Sequence, residues 1–569
     1  MNGYGGGDEE GPRGTASLGI YNEGLVDGNN VTIWSTGTVT GDGTLKGNEV
    51  VNYGTISPGA SMGTLTIDGD LTLEPSGVLE IEIDNSDSSD KILVTGKFAM
   101  QGGVAKPIAT ETILGSHRYT IIEANDVDWP IIAVVFGFDT AFLKSFFHPG
   151  YPEEPNSVFL RVEQVPFDDP HVVQTSNQRS LGSALQQIAE AGGNSITTTL
   201  QNLPTAGDAR AAYNQLSGQT RAPLAPVSVG GTSQFMGTVE NRLRGLPIGG
   251  GLAGYDASLP GLGTSMEEAA IYTGGGPGYM FALGNGTPYL GDREWGVWGR
   301  GYGLFGDRDA ESGFPGYDYT IYGGAFGLDY QFTERFLAGV TGGYFHGGVD
   351  FSSSRDSTDL AGTLVGLYGR YEREPWYLDS VLTYANVEYE TRRFVDLLGQ
   401  RLEGDFDGCN LSAYFEAGYD WYRSALWLLQ PLASFQLSYL DLEGYTESGG
   451  TSALTFEDQD FESYKGSLGL RARRKLFDVA EAAGAVAELR ARWRHEFGDR
   501  QSSVDAHFAT EPAAVFTVSD NGIARDSAIL GAGLDARLSR STRLQLDYDI
   551  VLNPDKTDQA VSAAFEYRW

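Results

Sequence analysis

Few side chains in this chain of 569 residues stand at a spacing that chemistry requires. The six histidines, His117, His148, His171, His346, His495 and His507, include no i,i+4 pair, so a zinc hydrolase has no helix face to be built on. Cys409 is alone, which excludes an intrachain disulfide and any cysteine cluster. The run Asp84-Asn-Ser-Asp-Ser-Ser-Asp offers oxygen ligands for calcium but lacks the EF-hand spacing, and a solvated turn is expected there. Gly301-Tyr-Gly-Leu-Phe-Gly matches a dinucleotide fingerprint formally, yet no helix follows to hold a pyrophosphate. The densest charges are Glu488, Arg490, Arg492 and Arg494, then Asp547 and Asp549, then Glu566 and Arg568. Within each group they alternate with apolar residues, which makes them one face of a strand and not a positioned acid–base pair. No enzyme, metal or cofactor is expected.

The whole-chain properties narrow the partners. A formal charge of −36 with no basic stripe repels phosphate backbones and excludes nucleic acid. No run approaches the roughly 20 apolar residues that a spanning helix needs, which excludes helical membrane proteins only. Seventy-eight glycines with 29 tyrosines, 28 phenylalanines and 9 tryptophans favour β structure. The start, Met1-Asn-Gly-Tyr-Gly-Gly-Gly, has neither a basic nor an apolar region of a secretory signal, so a partial start or a loss of export is expected.

The charged face of Glu488 to Arg494 belongs to a strand whose other face is Leu489, Ala491 and Trp493. The same dyad runs through Leu544 to Leu552, Val561 to Trp569 and Leu411 to Tyr419. These segments are about ten residues long with tryptophan and tyrosine near their ends, the length and girdle of a membrane-crossing strand. Segments near 295, 321, 336, 360, 376, 411, 427, 464, 486, 527, 542 and 560 make about twelve, an even number that can close. Upstream, short Thr-rich rungs between glycine turns run from about 31 to 103, as in Gly63-Thr-Leu-Thr-Ile-Asp-Gly-Asp-Leu-Thr-Leu. Rungs that short bury a core only by stacking, so a parallel β-solenoid with a cap at 91–165 is expected. Leu181, Ala184, Leu185 and Ile188 stand at helical spacing, and Asp208 is placed to N-cap a helix through Leu216.

Gly54-Thr-Ile-Ser-Pro-Gly-Ala-Ser-Met-Gly-Thr-Leu-Thr-Ile-Asp-Gly-Asp-Leu resembles the passenger repeat of autotransporters. Trp295-Gly-Val-Trp-Gly-Arg-Gly-Tyr-Gly, Gly324-Ala-Phe-Gly-Leu-Asp-Tyr, Leu367-Tyr-Gly-Arg-Tyr, Trp376-Tyr-Leu-Asp, Ala413-Tyr-Phe-Glu-Ala-Gly-Tyr and Tyr445-Thr-Glu-Ser-Gly resemble successive strands of their barrel. Tyr213-Asn-Gln-Leu-Ser-Gly resembles the segment before it. The resemblance implies a monomeric barrel in the cell outer membrane, threaded by a helical linker, that carries its own passenger to the cell surface without ATP. It implies membrane lipid, periplasmic chaperones and the barrel-assembly machinery as partners, the last reading a C-terminal signal at Phe565, Tyr567 and Trp569. Some members cut their own linker at paired asparagines; Asn194 is followed by Ser195, and the pattern is not met there.

The expected organisation is all-β. It has a disordered or partial start at 1–30, a β-solenoid at 31–166, a helical linker threading the pore at 175–218, a structureless Gly/Pro-rich linker at 219–293, and a barrel of about twelve antiparallel strands at 294–569. Glu488, Arg490, Arg492, Arg494, Asp547, Asp549, Glu566 and Arg568 are expected to line its lumen. The competing readings are a diffusion porin, and a surface adhesin or structural protein for which the barrel is only an anchor.

Overall fold

The computed structural model describes residues 18–244 and 295–567, apart from 112, 129–133, 136–138, 312, 353, 425, 480–482, 539–541 and 555. Arg568, Trp569 and most of the expected start and linker lie outside the described residues. The chain divides into two compact units, residues 1–173 with 185–211, and residues 174–184 with 212–569.

In the first unit, alternation of apolar residues with threonine gives strands with one buried face. Thr64–Leu73 pairs in parallel with Thr44–Asn52 on one side and Lys91–Met100 on the other. A second parallel sheet runs through Gly37–Gly41, Thr55–Pro58, Val78–Ile83 and Val104–Ala109. Leu65, Ile67, Leu71 and Leu73 are fully buried with Ile92, Val94 and Phe98 of the next rung. This is the expected solenoid. Gly69 is required where the rungs bend: its φ is +144° and a Cβ there would lie 1.8 Å from the Gly47 carbonyl oxygen. The parallel stack ends where Glu154–Gln164 pairs antiparallel with both His117–Asp128 and Leu143–Tyr151. An open row of amides would otherwise invite strand addition.

The acidic run satisfies the chain's own amides. Asp84 accepts from the amides of Ser86 at 2.8 Å and Ser88 at 3.0 Å. Asp90 is buried and accepts from the amides of Gly63 and Glu82, both at 2.8 Å. Burial outweighs those bonds and pushes the Asp90 carboxyl up to about 6.

Four helices follow: α1 (Ser176–Glu190), α2 (Ser195–Gln201), α3 (Ala206–Leu216) and α4 (Leu224–Arg244). Asn194 caps α2 by accepting from the amides of Ile196 and Thr197. The cap of α3 is Thr205 and not Asp208. Thr205 Oγ1 accepts from the Asp208 amide at 3.2 Å while the Asp208 carboxylate accepts from the Thr205 amide at 3.2 Å, so Asp208 is the third residue of a capping box. The 21-residue helix α4 lies where a structureless linker was expected. Its glycines, Pro226 and small polar residues mask the helical period. Pro226 sits in the first turn, where a missing amide hydrogen costs nothing.

The second unit contains twelve long antiparallel strands: β1 (Trp295–Arg308), β2 (Tyr317–Thr333), β3 (Phe336–Phe351), β4 (Ser357–Arg373), β5 (Trp376–Val395), β6 (Gln400–Tyr419), β7 (Trp427–Leu442), β8 (Gln459–Val479), β9 (Ala483–Glu496), β10 (Asp526–Arg537), β11 (Thr542–Leu552) and β12 (Lys556–Tyr567). Each pairs with its chain neighbour. Pairing of Arg300–Arg308 in β1 with Lys556–Ala564 in β12 closes the ring. Closure leaves no edge. Links range from two-residue turns, at 334–335 and 374–375, to the long segments 443–458 and 497–525. Two of the longer links form a small sheet of Tyr445–Thr446, Leu454–Phe456, Ser503–Phe508 and Phe516–Ser519.

Candidate functional site: a helix held inside the barrel

The outer face of the ring is apolar because alternate residues must face lipid. Val297, Phe326, Val365, Leu489 and Phe565 are exposed, Leu489 by 65% and Phe565 by 60%. Trp295, Phe332, Tyr371, Trp376 and Trp421 are exposed near the short turns and form an interfacial girdle.

The inner face encloses α4. Val229, Phe235, Met236, Val239 and Leu243 of α4 form one cluster with Tyr302, Leu304, Ile321, Phe345 and Leu364 of β1–β4. Phe235 sits where the wall has no side chain: a Cβ on Gly343 would lie 2.4 Å from its ring. The helix leans on β1–β6 and leaves a polar cavity of about 210 Å³ along β8–β12.

The two ends of α4 are held differently. Just before its start, Arg221 is buried with its guanidinium carbon 4.3 Å from the centre of the Phe406 ring, and donates to Gln459 Oε1 at 2.8 Å. Phe406 belongs to a stack running Tyr389, Phe406, Tyr445, Phe456, with ring centres 4.5, 4.6 and 5.1 Å apart. Ser228 of α4 lies 2.6 Å from the Tyr389 hydroxyl.

At the other end the contacts are ionic. Arg242 donates to Asp329 at 3.1 and 3.2 Å. Arg244 pairs with Glu240 one turn back at 2.5 Å and with Glu488 of β9 at 3.4 Å. Arg492 reaches Glu240 at 2.8 Å and Glu416 at 3.1 Å. Glu416 is fully buried and also takes Arg471 at 2.7 Å and the hydroxyls of Tyr377 and Tyr414. Glu488 takes Arg473 and Arg490, both at 2.7 Å. The wall also caps the helix: Arg370 donates to the Leu243 carbonyl at 3.0 Å and Arg473 to that of Arg244 at 3.4 Å. Those are orphan acceptors at the negative end of the helix dipole. Such a cluster adds little net stability, because desolvation offsets attraction, but removing one member strands its partners. Its consequence is a single axial position for α4.

Of the residues singled out from sequence, Glu488, Arg490 and Arg492 meet in this cluster, with Asp547 and Asp549 held by Arg490 at 2.9 and 3.1 Å. Arg494 faces the cavity. Phe565 is on the outer face, Glu566 and Tyr567 lie in β12, and Arg568 and Trp569 lie outside the described residues. Sequence reasoning missed Glu240, Arg242 and Arg244, whose signal was the i,i+4 acid–base pair at 240 and 244. It missed Asp329, Arg471 and Arg473, which carried the inward parity of their strands. The expectation that 175–218 threads the pore gives way to α4, because residues 185–211 belong to the first unit while α4 packs inside the ring.

Residues 297–549 match the family model of the autotransporter β-domain. Over 96% of its length the chain is 24% identical to an extracellular serine protease of Serratia marcescens, covering 53% of that protein. Over 45% of its length it is 25% identical to the esterase EstA of Pseudomonas aeruginosa, covering 39% of it. The chain thus spans about half the length of the serine protease relative. The translocator domain of the autotransporter NalP from Neisseria meningitidis aligns over 51% of this chain and 92% of that one, at 14% identity and a TM-score of 0.41. The family match and the closed ring of twelve lipid-facing strands agree: the C-terminal barrel is an autotransporter β-domain, an outer-membrane translocator.

Proposed function

We propose that the barrel delivers the chain's own N-terminal solenoid to the cell surface and then keeps it there, with α4 as the segment left in the lumen when transport ends. The observation that carries this reading is α4 itself, enclosed by a closed ring and fixed at both ends by side chains of the wall. A diffusion porin has no use for a helix so held. Glu488, Arg490, Arg492, Arg494, Asp547, Asp549, Glu566 and Arg568 are assigned to the hydrated lumen, where charged groups replace water around an extended chain in transit. Phe565, Tyr567 and Trp569 are assigned to recognition by the barrel-assembly machinery, with periplasmic chaperones guarding the apolar face beforehand. Transport needs no covalent chemistry from the barrel, and sequential stacking of solenoid rungs outside opposes return.

The test is a heat-modifiability gel on outer membranes from cells expressing the chain behind a signal peptide, with protease applied to intact cells. The expected product shifts on boiling and loses the segment before Pro166. A folded barrel whose solenoid stays protected from protease would overturn delivery; a soluble, unshifted product would overturn the barrel itself.

A further inference from the structure

The cavity beside α4 is bounded at one end by Pro226 and at the other by Arg244, so it follows the helix along its length. About 210 Å³ holds on the order of a dozen waters at roughly 15 Å³ of accessible space each. Lys465 of β8 and Arg494 of β9 line it, together with Arg244, Arg492, Arg525 and Lys556 and the carboxylates Glu240, Glu496, Asp547, Asp549 and Asp558. Lys465 pairs in register with Glu496, and Ser467 with Arg494, so the two cations are diagonal neighbours on the inward face.

The acids nearest to them are engaged elsewhere. Glu496 accepts from Ser463 Oγ at 2.7 Å and from the amides of Tyr464 at 2.7 Å and Gly498 at 3.0 Å. Asp558 pairs with Lys556 at 2.8 Å and accepts from the Tyr319 hydroxyl at 2.5 Å. Among the described residues, neither Lys465 nor Arg494 has a carboxylate within 4.0 Å or a hydrogen bond to another side chain. Arg471, Arg473, Arg490 and Arg492, by contrast, are each paired at 2.7 to 2.8 Å. An ammonium has three donors and a guanidinium five, with no acceptor between them. Set in a cavity with low-dielectric walls, they add a positive potential at their side of it.

We propose that Lys465 and Arg494 form a site for a small inorganic anion, and that the barrel with α4 in place therefore passes anions in preference to cations. The proposal rests on α4 occupying the lumen and goes beyond transport of the passenger. In transit the same two donors meet the carbonyls of the moving chain; afterwards they face the residual passage.

The experiment is single-channel recording of the full chain in a planar bilayer under a potassium chloride gradient, with inorganic phosphate added as a competing anion. The wild type is expected to give a reversal potential of the sign set by chloride, and a chloride current that phosphate reduces. Lys465→Gln with Arg494→Gln should lower the chloride-to-potassium permeability ratio by about twofold or more, as a lost local potential of order kT requires. Lys465→Arg with Arg494→Lys should retain the preference. Heat modifiability confirms that each variant is folded, and the single substitutions serve if the double one is not. Cation preference in the wild type, no current at all, or a preference unchanged in the neutral variants would each overturn the site. A heat-modifiable barrel that displays its passenger but shows no anion preference would remove this proposal and leave the translocator reading standing.

Discussion

The two ends of α4 solve one problem by opposite means. Near residue 221 the helix is held without ion pairs, by a guanidinium on the Phe406 ring and a hydroxyl pair with Tyr389. Near residue 244 it is held by paired charges, with Arg242 on Asp329 and Arg244 on Glu488. A ring contact has no charge to strand, whereas a buried charge moved off its partner costs several kcal/mol. The charged end therefore sets where the helix stops, and the aromatic end steadies the segment that enters it. A chain arriving from the far side would reach its final register only when residues 240–244 enter the ring of acids and arginines.

The largest loss is expected at Glu488. Glu488→Gln withdraws one charge from Arg244, Arg473 and Arg490 together, and should cost about 3–5 kcal/mol, the range for removing one partner of a buried pair. The check is the temperature at which the folded gel band is lost. Phe406→Ala should cost about 3 kcal/mol from cavity formation, with the α4 register unchanged, so amides at 240–244 keep their protection from hydrogen exchange while those near 221 lose theirs. Loss at both ends together would mean that the ends are not separate devices. Ser228→Ala removes one hydrogen bond to Tyr389 and should cost about 1 kcal/mol, visible as a small shift in the same melting temperature.

A control lies in the other unit. The Asp90 carboxyl is raised to about 6 from an ordinary 3.8. The folded solenoid therefore binds a proton that the unfolded chain has released between those values. Its contribution to stability is present below about 3.8 and is lost as pH rises to 6. Asp90→Asn should flatten the pH dependence of hydrogen exchange in the rungs at 64–100 across that window, and leave the barrel melting temperature unmoved. An unchanged slope would remove Asp90 from the account.

Much of this was legible in the residues. All twelve strands announce themselves because lipid and lumen impose period-two alternation, as at Leu489, Ala491 and Trp493 against Glu488, Arg490 and Arg492. The solenoid is legible for the same reason, one buried face per rung. Helix α4 was hidden because its surroundings are not those of an ordinary amphipathic helix. It meets an apolar wall on one side and charged groups at its lower end, so apolar and small polar residues are interleaved around it. Phe235, Val239 and Leu243 at four-residue spacing were the surviving signal. The cluster was half legible: parity assigns Glu488 and Arg490 to the inner face, but only closure of the ring brings β2, β6, β8 and β9 to the same helix terminus.

Cross-linking tests whether α4 lies inside the ring in one register. Ser233 of α4 and Gln436 of β7 touch at 2.7 Å. With Cys409 replaced by serine, Ser233→Cys and Gln436→Cys should be joined by a short thiol-reactive bridge in intact outer membranes, giving a band of altered mobility. Ser233→Cys paired with a cysteine at the outward-facing Leu489 should give none. Absence of the first bridge, or equal yields for the two pairs, would contradict the account.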